Sequence, residues 1–133
     1  MKNYEIVKIF IEEVFNKGNL NAISEYVHPN YNYASPMDNM KGPAELAAFV
    51  VTFRAAFPDL NIKILLQFSE DESVFTRLRI RGTHRGEFLG MSATNKSIDI
   101  EGCVISTFDE GQIATEWEII DQLTLLQQLG VAA

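Results

Sequence analysis

The order of its periodic segments most constrains what this chain can fold into: helical patterns fill the first half and strand patterns fill the second. Helical spacing of apolar residues predicts helices over about residues 3–16 and 43–57, with a shorter helix over 20–27 between them. Alternating patterns predict four strands, near 60–69, 73–84, 97–109 and 112–121. Helices grouped before strands favour an α+β fold, with the helices packed on one face of a mostly antiparallel sheet.

The connecting segments carry weaker signals. Residues 30–42 are predicted to form a loop with a short strand at Tyr31–Tyr33, and Asp109-Glu110-Gly111-Gln112 is typical of a tight hairpin. Residues Gln122–Leu129 are predicted to form a short C-terminal helix. The chain has 133 residues and no internal repeat, so residues 1–133 are predicted to form a single domain.

Composition and charge exclude several classes of protein. The net charge of −7 argues against a nucleic-acid binder that relies on phosphate contacts. No apolar run approaches the roughly 20 residues of a membrane span, and the start Met1–Tyr4 lacks a signal peptide pattern, so a cytoplasmic protein is expected. Cys103 is the one cysteine, which excludes an internal disulfide and a zinc site built on several thiolates. No spacing typical of metal ligands is present, so no metal site is predicted.

The last predicted strand carries the leading catalytic candidate, Asp121. In strict alternation Asp121 shares a face with Trp117 and Ile119, whereas Glu116 and Glu118 mark the other face as the wetter one. A carboxylate held against apolar groups is costly to ionise, so the pKa of Asp121 is expected to rise. Such a group suits proton transfer near neutral pH. The alternative is that Asp121 only ends the strand and caps the helix that follows it.

His84 is the second catalytic candidate. It continues the apolar register of Val74, Leu78 and Ile80 along its strand, so it is predicted to face inward and to orient a carbonyl or assist proton transfer. A structural histidine satisfied within the core is an equal alternative. His28 precedes a proline that stops a helix and is predicted to lie at the surface.

Aromatic and sulfur-containing side chains predict an apolar ligand pocket. Phe49, Phe53 and Phe57 recur at every fourth residue and form one stripe on their helix, which is either ordinary core or partly the wall of a cavity. Apolar loop residues are candidates for the pocket mouth. The predicted substrate-binding residues are Tyr33, Phe49, Phe53, Phe57, Phe88, Met91 and Trp117.

Several runs of sequence together resemble the SnoaL-like polyketide (ester) cyclase family. They are Ala55-Ala56-Phe57-Pro58-Asp59-Leu60, the run from Arg81 to Gly90, and the end from Glu116 to Gly130. The resemblance implies an NTF2-like cone, in which helices pack into a strongly curved sheet around an apolar pocket. It also implies an intramolecular aldol cyclisation that needs no cofactor or metal, with Asp121 at the position of the family's acid/base.

Three functions follow as hypotheses. The first is a cyclase in which Asp121 acts as base and then acid. The second is a related enzyme: an isomerase of the ketosteroid type, with Tyr33 as oxyanion donor, or an epoxide hydrolase, which the single inward carboxylate evident in the sequence disfavours. The third is a non-catalytic binding module for an apolar small molecule, favoured if Asp121 is a helix cap.

The outer face of the sheet predicts self-association. Arg77, Arg79 and Arg81 alternate along one strand, and the third strand has apolar residues on both faces. A homodimer formed through the outer sheet faces, with these arginines near the contact, is therefore predicted.

Overall fold

The helices of the chain are short and lie mainly in its first half. The computed structural model describes residues 1–131, so the last two residues of the predicted domain 1–133 lie outside the described residues. The helices are α1 (Asn3–Phe10), which continues as a π-helical segment (Ile11–Asn16), α2 (Ile23–Tyr26), preceded by a 3-10 turn (Leu20–Ala22), α3 (Gly42–Ala56) and α4 (Gln122–Gln128). No helix within residues 1–131 is both long and apolar enough to cross a membrane.

The strands form a mixed sheet whose order is β2-β1-β6-β5-β4-β3. They are β1 (Val27–Ala34), β2 (Asn39–Lys41), β3 (Asn61–Glu70), β4 (Ser73–Thr83), β5 (Ser97–Asp109) and β6 (Gln112–Ile120). Neighbouring strands are antiparallel except β1 and β6, which are parallel. The predicted α+β class and the four long strands are confirmed.

The prediction for residues 30–42 is wrong in one respect. This segment is mostly strand rather than loop, because β1 already begins at Val27 and β2 follows at Asn39. A strand stabilised by partners far along the chain needs little local signal. Here β1 pairs with β2 on one side and with the C-terminal strand β6 on the other, so the sequence around it underestimates its length.

The predicted faces of β4 and β5 are confirmed. Val74, Leu78 and Ile80 are buried on the inner face of β4, and Ile98, Ile100, Val104 and Phe108 are buried on the inner face of β5. The arginines of β4 lie on the opposite face and pair across the strands: Arg79 with Asp99 at 2.6 Å and Arg77 with Glu101 at 2.6 Å. The inner face therefore builds the core together with α1 and α3.

The predicted hairpin between β5 and β6 is confirmed, and it sets the starting register of β6. Asp109 pairs with Gln112, and Glu110 and Gly111 between them both have positive φ, at 53° and 78°. Two such residues form the type I′ turn that matches the twist of antiparallel strands, and glycine adopts this conformation without strain.

A β-bulge follows the hairpin and reverses the facing of β6. Phe108 pairs with Ile113, but the neighbouring Thr107 pairs with Thr115, so Ala114 is an extra residue on β6. Before the bulge Ile113 is buried; beyond it the even-numbered residues point inward and the odd-numbered ones outward. The predicted face of Asp121 assumed strict alternation along the whole of β6. The bulge breaks that alternation, so the prediction is wrong.

The connection from β4 to β5 is held against α3 by backbone hydrogen bonds. The amides of Arg85 and Gly86 both donate to the carbonyl of Ala56, at 2.9 and 3.2 Å. A Cβ atom at Gly86 would lie 2.4 Å from the carbonyl oxygen of Ala55. Only glycine allows this close approach, and the loop carries Phe88 toward the interior.

Replacing Gly86 by alanine is expected to lower the free energy of unfolding by about 1–3 kcal/mol, because backbone atoms must move to accommodate the added methyl group. Chemical denaturation measures the change. Ser92→Ala, at an exposed position of the same loop, is the matched control and is expected to have little effect. Equal stability of the two variants would contradict the tight packing of Gly86 on α3.

Candidate functional site

A cavity of about 330 Å³ lies between α3 and the inner face of the sheet. Most of its wall is apolar. Of the predicted substrate-binding residues, Tyr33, Phe49, Phe53 and Phe88 line this cavity. The two phenylalanines of α3 stack on each other with ring centroids 5.5 Å apart, and Phe88 packs against Phe53 at 5.8 Å. One side of the cavity is therefore a continuous aromatic wall.

Two carboxyl groups, Glu116 and Glu118, line the same cavity. They are neighbours on one face of β6, and the bulge at Ala114 turns that face inward. Glu116 is only 8% exposed, and Glu118 is partly buried. The expectation that these residues mark the wet face of the strand is wrong, and they were not predicted as site residues.

Glu116 is held by two hydroxyl donors. The Tyr31 hydroxyl donates to Oε1 at 2.9 Å, and the Ser106 hydroxyl donates to Oε2 at 2.7 Å. Burial nevertheless raises the pKa of Glu116 to about 7, against the opposing effect of these hydrogen bonds, and the nearby charge of Glu118 raises it further. A carboxyl group with this pKa can both accept and return a proton near neutral pH.

Glu118 has one hydroxyl partner. Tyr33 donates to Oε1 of Glu118 at 2.5 Å. Burial also raises the pKa of Glu118, opposed by this hydrogen bond. The phenol is affected in turn: burial, then the charge of Glu118, raises the pKa of Tyr33, so Tyr33 stays protonated and remains a donor. The two Glu–Tyr pairs place two acids and two donors along one wall.

The predicted orientation of Asp121 is wrong. Asp121 is exposed and caps α4: the Thr124 amide donates to its Oδ1 at 3.1 Å, and the Thr124 hydroxyl donates to its Oδ2 at 2.7 Å. These hydrogen bonds, the hydroxyl first, lower the pKa of Asp121 instead of raising it. Because the bulge reverses the alternation, Asp121 does not share a buried apolar face with Trp117. The catalytic role of Asp121 remains a prediction.

Three predicted substrate-binding residues lie outside the cavity lining. Trp117 is 46% exposed on the outer face of the sheet, for the same reason that Glu116 and Glu118 face inward. Phe57 is fully buried behind the wall, in contact with Phe53 and Phe88 at centroid distances of 5.5 and 5.2 Å. Met91 pairs with Phe88 across a tight turn. Phe57 and Met91 thus support the cavity wall from behind.

His84 faces inward as predicted, but it does not line the cavity. It is fully buried, and its ring lies 5.5 Å from that of Phe57. Its Nδ1 accepts from the Thr94 amide at 3.3 Å and lies 3.0 Å from the Thr94 hydroxyl. Phe57 separates it from the cavity wall. Its Nε2 is buried and has no hydrogen-bond partner among the described residues, so the alternative of a histidine satisfied within the core holds for Nδ1 alone. Its predicted catalytic role is not tested by this placement.

One periodicity in the sequence matches the acidic pair, although it does not reveal the pair by itself. Tyr31 and Tyr33 alternate with the same period as Glu116 and Glu118, as expected for two strands that exchange side-chain hydrogen bonds on one face. Their pairing across 85 positions cannot be read from one sequence, because nothing local indicates that β1 joins β6.

No group of three or more His, Cys, Asp and Glu in residues 1–131 is placed to hold a metal ion.

Comparisons with known proteins agree with this fold. The model of a family described as SnoaL-like polyketide cyclase matches residues 5–129. Two curated proteins are each 25% identical: the aklanonic acid methyl ester cyclases DnrD of Streptomyces peucetius, over 122 residues, and AcmA of Streptomyces galilaeus, over 121 residues. Each alignment covers 89% of this chain and 84% of the relative.

Solved structures extend the likeness to three dimensions. A candidate polyketide cyclase from Acidithiobacillus ferrooxidans is 32% identical, with a TM-score of 0.87 and coverage of 100% of this chain and 97% of that one. TsrD from Streptomyces laurentii, 22% identical, matches in fold with a TM-score of 0.88 over 96% and 94% of the two chains. The NTF2-like α+β class implied by the resemblance is confirmed, and the chain belongs to the SnoaL-like polyketide cyclase family.

Proposed function

We propose that the protein is a cyclase-type enzyme that performs acid/base chemistry on a hydrophobic small molecule, without a cofactor or metal, in the cavity between α3 and the sheet. The observation that carries the proposal is the pair of inward-facing carboxyl groups, the buried Glu116 and the partly buried Glu118, on a mostly apolar wall. Carboxyl groups with raised pKa values are poised for proton transfer near neutral pH. The curated relatives are cyclases of aklanonic acid methyl ester, so an aromatic polyketide ester is the proposed substrate class.

Glu118 is proposed as the base. Both oxygens of Glu116 accept protein donors, whereas Oε2 of Glu118 accepts none from the described residues. This oxygen is free to take a proton from the carbon between two activating carbonyl groups of the substrate. The resulting enolate then attacks a ketone carbon of the same molecule and forms the new carbon–carbon bond.

Return of the proton completes the cycle. Attack on the ketone leaves an alkoxide, which takes the proton now held by Glu118, so the carboxylate is regenerated. Tyr33 is proposed to stabilise the developing oxyanion, since its hydroxyl stays protonated and lies on the same wall. Burial keeps the charge on Glu118 costly and its basicity high.

The positions of Asp121, Glu116 and Glu118 change the support for the alternative functions predicted from the sequence. Capping of α4 by Asp121 favours a binding module over chemistry at Asp121 itself. The Glu116–Glu118 pair supplies another acid/base candidate, so it supports an enzyme. Two inward carboxyl groups also remove the objection to a hydrolase, which rested on there being only one. The cytoplasmic location stays a prediction.

Replacing Glu118 by glutamine is expected to lower turnover of aklanonic acid methyl ester by roughly 10²–10⁴-fold, because the amide keeps the shape but cannot accept a proton. Steady-state kinetics of the purified protein measure the loss. Tyr33→Phe is expected to lower kcat by less, since it removes one donor and leaves the base.

Asp121→Asn is the competing variant in the same assay. Asparagine caps helices about as well as aspartate, so the fold is expected to persist. If Glu118 is the base, Asp121→Asn keeps most of the activity. A loss at Asp121→Asn as large as that predicted for Glu118→Gln, with Glu118→Gln active, would return the acid/base role to Asp121.

Burial of Glu116 also links stability to pH. Its pKa rises from 4.5 to about 7 on folding, which corresponds to roughly 3 kcal/mol in favour of the neutral carboxyl group in the folded protein. Because the folded-state pKa is the higher one, this contribution is present below pH 4.5 and is lost as the pH rises through 7. Glu118 acts in the same direction, since burial raises its pKa too.

The free energy of unfolding is therefore expected to fall between about pH 5 and about pH 8, and Glu116→Gln is expected to remove the part of that fall that Glu116 contributes. Urea denaturation at both pH values measures it. Glu70→Gln, at an exposed carboxylate of β3, is the control and is expected to keep the wild-type pH dependence. A Glu116→Gln protein with an unchanged pH dependence would contradict a buried, neutral Glu116.

The outer face of the sheet supports the proposal of a homodimer. Phe68, Phe75, Ile105 and Trp117 form one row across four strands, in cross-strand register. Phe68 is 60% exposed, Trp117 46% and Ile105 42%, so the row is an apolar strip open to solvent. The arginines beside it are already paired with Asp99 and Glu101. A second copy of the chain, with the same self-complementary strip, would cover it.

Light scattering at micromolar concentration is expected to give a particle of about twice the 15.0 kDa chain. Ile105→Arg is expected to yield monomer, because it places a charge in the middle of the strip. Val51→Arg, at an exposed apolar position of α3, is the control and should leave the dimer intact. Acrylamide quenching of Trp117, the single tryptophan, should rise in the monomeric variant. A 15 kDa wild-type particle would refute the dimer.

A further inference from the structure

The ionisable groups on the cavity wall are acidic, apart from the tyrosines. Glu116 and Glu118 lie on the sheet side and Asp38 lies on the β1–β2 connection, whereas no Lys, Arg or His of the described chain contributes to the lining. A ligand that carries a negative charge therefore meets carboxylates without a compensating cation, which opposes its binding. The wall discriminates among ligands by charge as well as by shape.

One carboxylate oxygen is available to a ligand. Oε1 of Glu118 accepts the Tyr33 hydroxyl, and both oxygens of Glu116 accept hydroxyl donors. Oε2 of Glu118 accepts no hydrogen bond from residues 1–131. A donor carried by the ligand is the partner this oxygen lacks, and a charged donor forms the stronger bond.

The opposite wall is suited to the same kind of group. Phe49, Phe53 and Phe88 line the cavity and contact one another through their rings. The faces of aromatic rings attract cations, and the attraction is stronger where water is excluded. The wall thus offers both an apolar surface and a second source of attraction for a positive charge.

We propose that the cavity binds hydrophobic cations: protonated amines whose ammonium group donates to Oε2 of Glu118 and whose apolar body lies against Phe49, Phe53 and Phe88. This goes beyond the proposed function, because it concerns ligand charge and holds whether or not the cavity catalyses a reaction. Such amines would compete with a neutral substrate for the same space. The raised pKa of Glu118 agrees with a carboxylate that has no cationic partner in the free protein.

Three probes with one skeleton test the proposal: 2-naphthylmethylamine, 2-naphthylmethanol and 2-naphthoate. Isothermal titration calorimetry at about pH 8, which lies above the pKa of about 7 of Glu116, measures their affinities. The amine is expected to bind at least about tenfold more tightly than the neutral alcohol, and the naphthoate not measurably. Equal affinities of amine and alcohol, or binding of the naphthoate, would overturn the proposal.

A variant and a change of pH test whether the preference for the amine over the alcohol arises at the carboxylate of Glu118. Glu118→Gln is expected to reduce the advantage of the amine over the alcohol to about one, while Glu70→Gln, which removes an exposed charge, leaves it unchanged. If Glu118→Gln fails to fold, titrations of the wild-type protein decide instead. At about pH 5 more of the carboxyl groups are protonated than at about pH 8, because burial raises the pKa of both, so the amine should lose most of its advantage and the alcohol should bind as before. An advantage that persists at the lower pH would also overturn the proposal.

This experiment is independent of the test of catalysis. A protein that turns over aklanonic acid methyl ester but binds the amine no better than the alcohol would retain the proposed function and lose this inference. A protein that prefers the amine but has no turnover would retain the inference and lose the proposed function.

Discussion

The extra residue in β6 decides which side chains form the inside of this protein and which form the outside. Because Ala114 has no partner on β5, every residue from Thr115 to Ile120 faces opposite to where simple alternation would put it. Glu116 and Glu118 turn into the cavity as a result, and Trp117 turns out into solvent. The inward facing of the candidate catalytic groups and the outward facing of Trp117 in the apolar strip are therefore two results of one insertion.

The inward carboxyl groups of Glu116 and Glu118 lower the stability of the fold. Carboxyl groups are among the side chains least often buried, and removing them from water is costly unless they are neutral or well paired. Here the compensation is partial, because hydroxyl groups of Tyr31, Tyr33 and Ser106 donate to them without supplying a positive charge. Such incomplete compensation is common at sites of function, where stability is given up for reactivity.

Much of the fold could be predicted from the sequence, because its signals are local. Helical spacing defined α3, alternation defined β3 to β6 within a residue at each end, and the Glu110-Gly111 pair defined the hairpin. The aromatic wall followed from the same spacing, since Phe49 and Phe53 lie one turn apart on α3. The family followed from motifs spread over most of the chain.

The candidate site was less predictable, for two physical reasons. A bulge at Ala114 leaves no clear trace in residue types, and both faces of β6 carry apolar residues, so hydrophobicity could not reveal the reversed facing. The pairing of β1 with β6 is the second reason, since it joins distant segments. Asp121 illustrates the first reason: alternation places it on the cavity face, whereas in the structure its side chain caps α4 by accepting hydrogen bonds from Thr124.

The parallel pairing of β1 and β6 also has a consequence for the newly made chain. The hydroxyl groups of Tyr31 and Tyr33 and the carboxyl groups they bind are 85 positions apart, so a ribosome releases the tyrosines long before it makes their partners. Contacts of such long sequence separation form late in folding. The two carboxyl groups therefore meet their tyrosines only after the last strand has left the ribosome.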